Sequence, residues 1–194
     1  MSTATLAKPL MTAEEFLALP DDGVERWLIR GELREKWDTD KTMRNKHHGI
    51  TEGRVTGLLG MWLLTQPQPR GEVVCGEPCF RLRSFPDTIS AGVDAAVITA
   101  EQADAKSDDT TSIEGPPLLI AEVLSPSDTE GELVERVREY LDCGVPVAWI
   151  FNPYFKTVTV HRPGVDPLAL GSLQVLVGDP ELPGFSAKVA DFFR

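Results

Sequence analysis

Cysteine is scarce in this chain. Cys75, Cys79 and Cys143 are the only three in 194 residues, and a small odd number excludes a disulfide framework. Cys75 and Cys79 lie four apart, but a zinc site needs about four ligands. Beyond Cys143 the soft donors left are His47, His48 and His161, with no second pair at ligand spacing. Reduced thiols are therefore expected. Long apolar runs are also missing. The longest uncharged ones, at 58–64 and 116–121, fall far short of the ~20 residues that a membrane-spanning helix needs. The opening Met1-Ser2-Thr3-Ala4-Thr5-Leu6-Ala7-Lys8-Pro9 has no apolar signal-peptide core, so the cytoplasm is the expected address. Positive charge is short as well: the formal net charge is −11. Affinity for nucleic acid comes largely from cations meeting phosphates, so a simple sequence-blind DNA binder is disfavoured. There is no internal repeat and no low-complexity tract.

What remains is ordinary for a soluble globular protein, with 42% apolar and 25% charged residues. A chain of this length buries roughly 70% of the surface its unfolded form exposes, so a substantial core is available. The expected organisation is a flexible segment at 1–10 followed by one domain at 11–194. The charge is uneven. Eight basic residues (Arg26, Arg30, Arg34, Lys36, Lys41, Arg44, Lys46, Arg54) and five acids fall between positions 26 and 54, which leaves that stretch at +3 inside an acidic chain. Such a segment either faces an anion or is a solvated loop.

Thr12-Ala13-Glu14-Glu15 reads as a capping box that opens a short helix. The segments 26–29 and 33–37 read as a hairpin turned at Gly31. From 47 to 65 the residues Ile50, Val55, Leu58, Leu59 and Trp62 recur at helical steps. Gly53, Gly57 and Gly60 in the same stretch suggest close approach of this helix to a neighbour, because each costs about 1 kcal/mol against Ala in a helix. Short strands are expected at 72–75, 79–83 and 93–98, with a loop and short helix at 99–114. The run 118–124 reads as a strand buried on both faces. A helix at 130–143, capped by Asp128 or Thr129, leads to a second buried strand at 145–151. Strands at 156–162 and 173–177 and a terminal helix at 187–193 complete the pattern. The strand–helix–strand unit at 118–151 demands a right-handed crossover and a locally parallel pair. The expected fold class is α/β: a mixed central β-sheet flanked by helices, with an N-terminal helix and hairpin.

Two carboxylates stand out. Asp94 lies in an apolar strand and Glu122 in the most apolar strand of the chain. Buried carboxylates need a partner or a metal. Either a divalent cation joins them, or each sits at a strand end, in water or paired with an arginine. Oxygen-rich sites of this kind favour Mg²⁺ with a substrate phosphate.

A set of motifs then resembles a known family. Met11-Thr12-Ala13-Glu14-Glu15-Phe16-Leu17-Ala18-Leu19-Pro20, Leu28-Ile29-Arg30-Gly31-Glu32-Leu33, His48-Gly49, Val93-Asp94-Ala95-Ala96-Val97 and Glu122-Val123-Leu124-Ser125-Pro126-Ser127 occur in order. They are followed by Glu135-Arg136, Tyr140, Gly144-Val145 and Trp149-Ile150. The sequence is similar in this to the Uma-two family of endonucleases, of restriction-endonuclease-like PD-(D/E)XK fold, from about residue 11 to 193. The resemblance implies a metal-dependent endonuclease that hydrolyses DNA phosphodiester bonds with Mg²⁺ or Mn²⁺. It implies that Asp94, Glu122 and Glu32 are metal ligands and that Asp94, Glu122 and Arg136 are catalytic. His48, Lys46 and Arg44 are the expected substrate contacts, and a homodimer is expected by analogy with nuclease folds. The sequence departs from the family at Val93, where a proline is usual. Leu124 stands where the wider superfamily has a lysine. Arg136 stands where the family has a lysine four residues before the tyrosine. Arginine can grip a phosphate with its planar fork, but it cannot deprotonate water. The alternative reading is a catalytically impaired nucleic-acid-binding or structural homo-oligomeric protein of the same fold.

Overall fold

The computed structural model describes residues 10–20, 22–36, 45–84, 86–90, 92–105, 112–126 and 130–193. Trp37, Lys41, Arg44, Ser127, Asp128 and Thr129, all raised above, lie outside them. The element order is α1 (Ala13–Leu17), β1 (Glu25–Ile29), β2 (Glu32–Lys36), α2 (Lys46–Leu63), β3 (Glu72–Cys75), β4 (Phe80–Ser84), β5 (Asp87–Ser90), β6 (Ala95–Ile98), α3 (Ala100–Asp104), β7 (Ile113–Glu114), β8 (Leu119–Val123), α4 (Glu130–Asp142), β9 (Ala148–Asn152), β10 (Thr157–His161), β11 (Leu168–Leu170), β12 (Val175–Val177) and β13 (Ser186–Lys188), closed by a 3-10 helix at Val189–Phe192.

Local chemistry explains the starts and turns. Thr12 caps α1 by accepting from the Glu15 amide at 3.2 Å, while the Glu15 carboxylate accepts from the Thr12 amide at 2.9 Å. Arg30 and Gly31 both have positive φ (51° and 78°), the backbone of a tight hairpin turn whose twist matches its strands. Asn45 caps α2, its side chain accepting from the His48 amide at 3.0 Å.

The strands form two mixed sheets and a separate antiparallel pair, β12-β13. One has the order β2-β1-β5-β4-β7 and carries the N-terminal hairpin. The other has the order β11-β10-β9-β8-β6-β3 and holds the core. In the second, β8 and β9 are parallel, joined by α4 as the strand–helix–strand pattern requires, and β6 runs antiparallel to β8. Every residue of β6 and β8 is buried. Val55 and Leu59 of α2 pack on one face of this sheet with Val97, Leu119, Ala121 and Trp149. Val137 and Tyr140 of α4 pack on the other with Ala96, Ile120 and Ala148. Each large apolar side chain removed from water in this way contributes about 1.5–3 kcal/mol.

Three expectations change. The terminal helix at 187–193 is instead β13 paired with β12, then the 3-10 turn. Val189 and Phe192 are fully buried against the core there, and that packing overrides helical propensity. The glycines of α2 do not admit a neighbour: a Cβ at Gly53, Gly57 or Gly60 meets nothing within 4 Å. Close approach occurs at Gly71 instead, where a Cβ would fall 1.7 Å from the Ile98 carbonyl oxygen. Finally, α2 begins at Lys46 and ends at Leu63, where the helical pattern ran from 47 to 65. Among the described residues no helix is long and apolar enough to cross a membrane.

Candidate functional site

The sheet register brings the two buried acids to one rim. β6 and β8 pair Ala95 with Ala121, so the next position along places Asp94 level with Glu122. Asp94 is 2% exposed and Glu122 3%. The Val123 amide donates to Asp94 Oδ2 at 2.8 Å, which ties the two strand ends together through the acid itself.

Glu122 turns towards α4. Its Oε1 accepts from Arg136 Nη2 at 2.6 Å and from the Tyr140 hydroxyl at 2.6 Å. Arg136 and Tyr140 are one helical turn apart, so their side chains reach the same spot. The Arg136 guanidinium also lies 5.8 Å from the Trp27 ring of β1, within cation–π range. A small cleft opens on Arg136 and Tyr140 beneath the hairpin, lined by Trp27, Ile29 and Thr88 among others. Burial is the main influence on the Glu122 carboxyl and raises it. The Arg136 charge pulls it back, nearby Asp94 raises it again, and the Tyr140 and Arg136 hydrogen bonds lower it; the net position is about 7.

Asp94 turns towards α2. His48, fully buried in the first turn of that helix, sets Nε2 3.3 Å from Asp94 Oδ2 and Nδ1 3.7 Å from Glu52 Oε2. His48, Glu52 and Asp94 each offer one ligand atom, and these atoms lie within 4.8 Å of one another. One imidazole nitrogen with two carboxylate oxygens is a donor set that fits a divalent cation. Among the described residues this is the group of metal-ligating side chains that forms, and it contains Asp94 but neither Glu122 nor Glu32.

The remaining expected residues lie apart or aside. Glu32 is exposed on β2 and accepts from Arg34 Nη1 at 3.0 Å. Lys46 is exposed at the first position of α2, two residues from His48. Arg136 is 8% exposed and paired with Glu122, so it is a buried partner of an acid rather than an open cation. Glu52 was not singled out from the sequence. Its signal was there: His48 and Glu52 stand four apart in a helical pattern, which puts both on one face. None of the three cysteines is in a disulfide, and Cys75 is exposed.

Comparisons with known proteins bear on the family and the fold. A family model described as Uma2, "putative restriction endonuclease", matches residues 13–190. The fold is similar to that of a crystal structure from Anabaena variabilis ATCC 29413, described as a "putative nuclease belonging to DUF820". The TM-score is 0.76 and the identity 18%, over 94% of this chain and 97% of that one. No curated protein matches.

Proposed function

The chain belongs to the Uma2 family, and on that footing we propose that it is a divalent-cation-dependent endonuclease that hydrolyses phosphodiester bonds of DNA. The observation that carries the reading is the convergence of Asp94 with His48 and Glu52, beside Glu122, at one rim of the buried sheet. Such buried donors are rare unless an ion or a proton joins them.

A bound Mg²⁺ or Mn²⁺ supplies Lewis acidity, neutralising charge on the scissile phosphate and making water nucleophilic at neutral pH. The protein's own groups do the positioning. Asp94 is the central ligand, aimed by the Val123 amide on Oδ2. The N-terminus of α2 directs its positive end at this rim, and the exposed Lys46 in its first turn extends the same field to an incoming phosphate. Arg136 and Tyr140 hold Glu122 in place at the adjacent strand end. Arg136 contributes positive charge close to the reacting region but accepts no proton. Glu32 and Arg44 complete the family-derived assignment, Glu32 as an outer acid on the hairpin and Arg44 as a phosphate contact. A homodimer completes it too, and sedimentation of the purified chain reads that directly.

The test is incubation of the purified chain with supercoiled plasmid and with single-stranded DNA, in Mg²⁺, in Mn²⁺ and in EDTA. Nicking or cutting that needs the ion supports the reading; no cleavage with either ion refutes it. The second reading, a nucleic-acid-binding protein without catalysis, draws on the engagement of Glu122 Oε1 by Arg136 and Tyr140. It is distinguished by retention of the same DNA in a mobility-shift assay without cleavage.

A further inference from the structure

We infer that the cation is carried from the α2 side, by His48, Glu52 and Asp94, with Glu122 outside its coordination, so that the site takes Mn²⁺ in preference to Mg²⁺. The use of the ion in cleavage rests on the reading above; its binding is argued from geometry alone.

One oxygen of Glu122 is committed elsewhere, and Glu122 stands outside the group whose donor atoms lie within 4.8 Å of one another. Two short charge-assisted bonds end on its Oε1, from a guanidinium and a phenol that are themselves buried. A family lysine at position 136 could swing away on a flexible stem. The planar guanidinium of Arg136, held against Tyr140 and the Trp27 ring, cannot do so without breaking several contacts at once.

The α2 side offers the alternative. His48 and Glu52 lie one turn apart on the helix, and Asp94 meets them from β6's leading end. Two donors about 2.1 Å from one ion, at tetrahedral or octahedral angles, stand roughly 3.0–3.4 Å apart. The separation of 3.3 Å between His48 Nε2 and Asp94 Oδ2 falls in that span. The Glu52 oxygen faces the other ring nitrogen at 3.7 Å, and with one donor atom from each residue the three lie within 4.8 Å of one another, so the partly exposed Glu52 must move to close on the ion. Fully buried His48 and nearly buried Asp94 hold the inner wall. Glu52, 23% exposed, gives the ion its way in from solvent. Mg²⁺ demands oxygen ligands in near-ideal octahedral order, whereas a mixed nitrogen and oxygen set suits Mn²⁺ and the transition ions that follow it.

The test is calorimetric titration of the full chain with MnCl₂ and with MgCl₂, joined to pulsed electron paramagnetic resonance of the Mn²⁺ form. One equivalent of Mn²⁺ is expected to bind at least tenfold tighter than Mg²⁺, with nitrogen coupling from an imidazole in the spectrum. Glu52→Gln should weaken Mn²⁺ at least tenfold, and Glu122→Gln should leave its affinity within threefold. His48→Gln should remove the nitrogen coupling; because His48 is fully buried, circular dichroism accompanies it, and the Glu52 variant with the wild-type spectrum decides if it does not fold. Equal or tighter Mg²⁺ binding, no nitrogen coupling, no binding of either ion, or a loss that follows Glu122→Gln rather than Glu52→Gln would each overturn the inference. With ion-dependent cleavage still present, a shift of the site to Glu122 leaves the nuclease reading intact. Tight Mn²⁺ at Glu52 without cleavage does the reverse.

Discussion

Replacing Arg136 by methionine tests whether Glu122 is held by the guanidinium, and the effect should depend on pH. In the folded protein the Arg136–Glu122 pair is 2.6 Å long, with side chains 10% and 3% exposed. Removing one partner of such a buried pair costs about 3–5 kcal/mol when the other stays charged. Glu122 has an escape, because a carboxyl can take up a proton. Burial first, and Asp94 after it, raise this carboxyl from its ordinary 4.5 to about 7 even with Arg136 present. A raised carboxyl stabilises the fold fully below the unfolded value of about 4.5, and that contribution fades as pH rises towards the folded value. Without Arg136 the folded value climbs above 7, so in the variant the fading continues after the wild type has levelled off. Each unit of difference adds about 1.4 kcal/mol to the deficit. At pH 5.5 Glu122 carries its proton in both proteins. The loss there should be about 1–2 kcal/mol, from the Trp27 contact and packing. At pH 9 it should reach about 3–5 kcal/mol. Urea unfolding followed by tryptophan fluorescence measures both. A deficit that is equal at the two pH values, or that shrinks as pH rises, refutes the reasoning.

Three further outcomes follow from the same coordinates. Tyr140→Phe removes one of the two 2.6 Å bonds to Glu122 and should cost about 1.5–3 kcal/mol at pH 8, read from the urea midpoint; a loss below about 0.5 kcal/mol contradicts the assignment. Gly71→Ala places a methyl 1.7 Å from the Ile98 carbonyl oxygen and must displace β3 from β6, so roughly 2 kcal/mol or more should be lost. Gly57→Ala, in open space on α2, should instead raise stability by about 0.5–1 kcal/mol, and thermal unfolding of the pair of variants shows whether the signs are opposite.

Much of this fold was legible because local and global signals agree. The Thr12 capping box, the Arg30-Gly31 turn, the buried runs around Ala121 and Trp149, and the helix between them follow from patterns that tertiary packing reinforces. The division of strands into separate sheets was not legible, since β7 is two residues long and the β4-β5 hairpin joins the N-terminal hairpin only through β1, far back in the chain. The C-terminal segment misled for the same reason: Ser186-Ala187-Lys188 has no strand character of its own and becomes one by pairing with β12. At the site, Asp94 and Glu122 were readable as charges in apolar strands. Their environments were not. Which oxygen meets Arg136, and that His48 and Glu52 gather on Asp94, depend on how α2 and α4 cross opposite faces of the sheet. Family likeness pointed to Arg136 as a phosphate contact, and only the packing reveals it as the buried partner of Glu122.

The central claim is that a cation centred on Asp94 cleaves phosphodiesters, and the most direct measurement is the nicking rate of supercoiled plasmid by the wild type and by Asp94→Asn in Mn²⁺. The variant keeps the side-chain shape and an oxygen for the Val123 amide while removing the charge that holds the ion. The account expects nicking by the wild type that EDTA abolishes, and a loss of at least a hundredfold in Asp94→Asn with an unchanged circular dichroism spectrum. No nicking by the wild type in any divalent ion, or equal nicking by the two proteins, would contradict it.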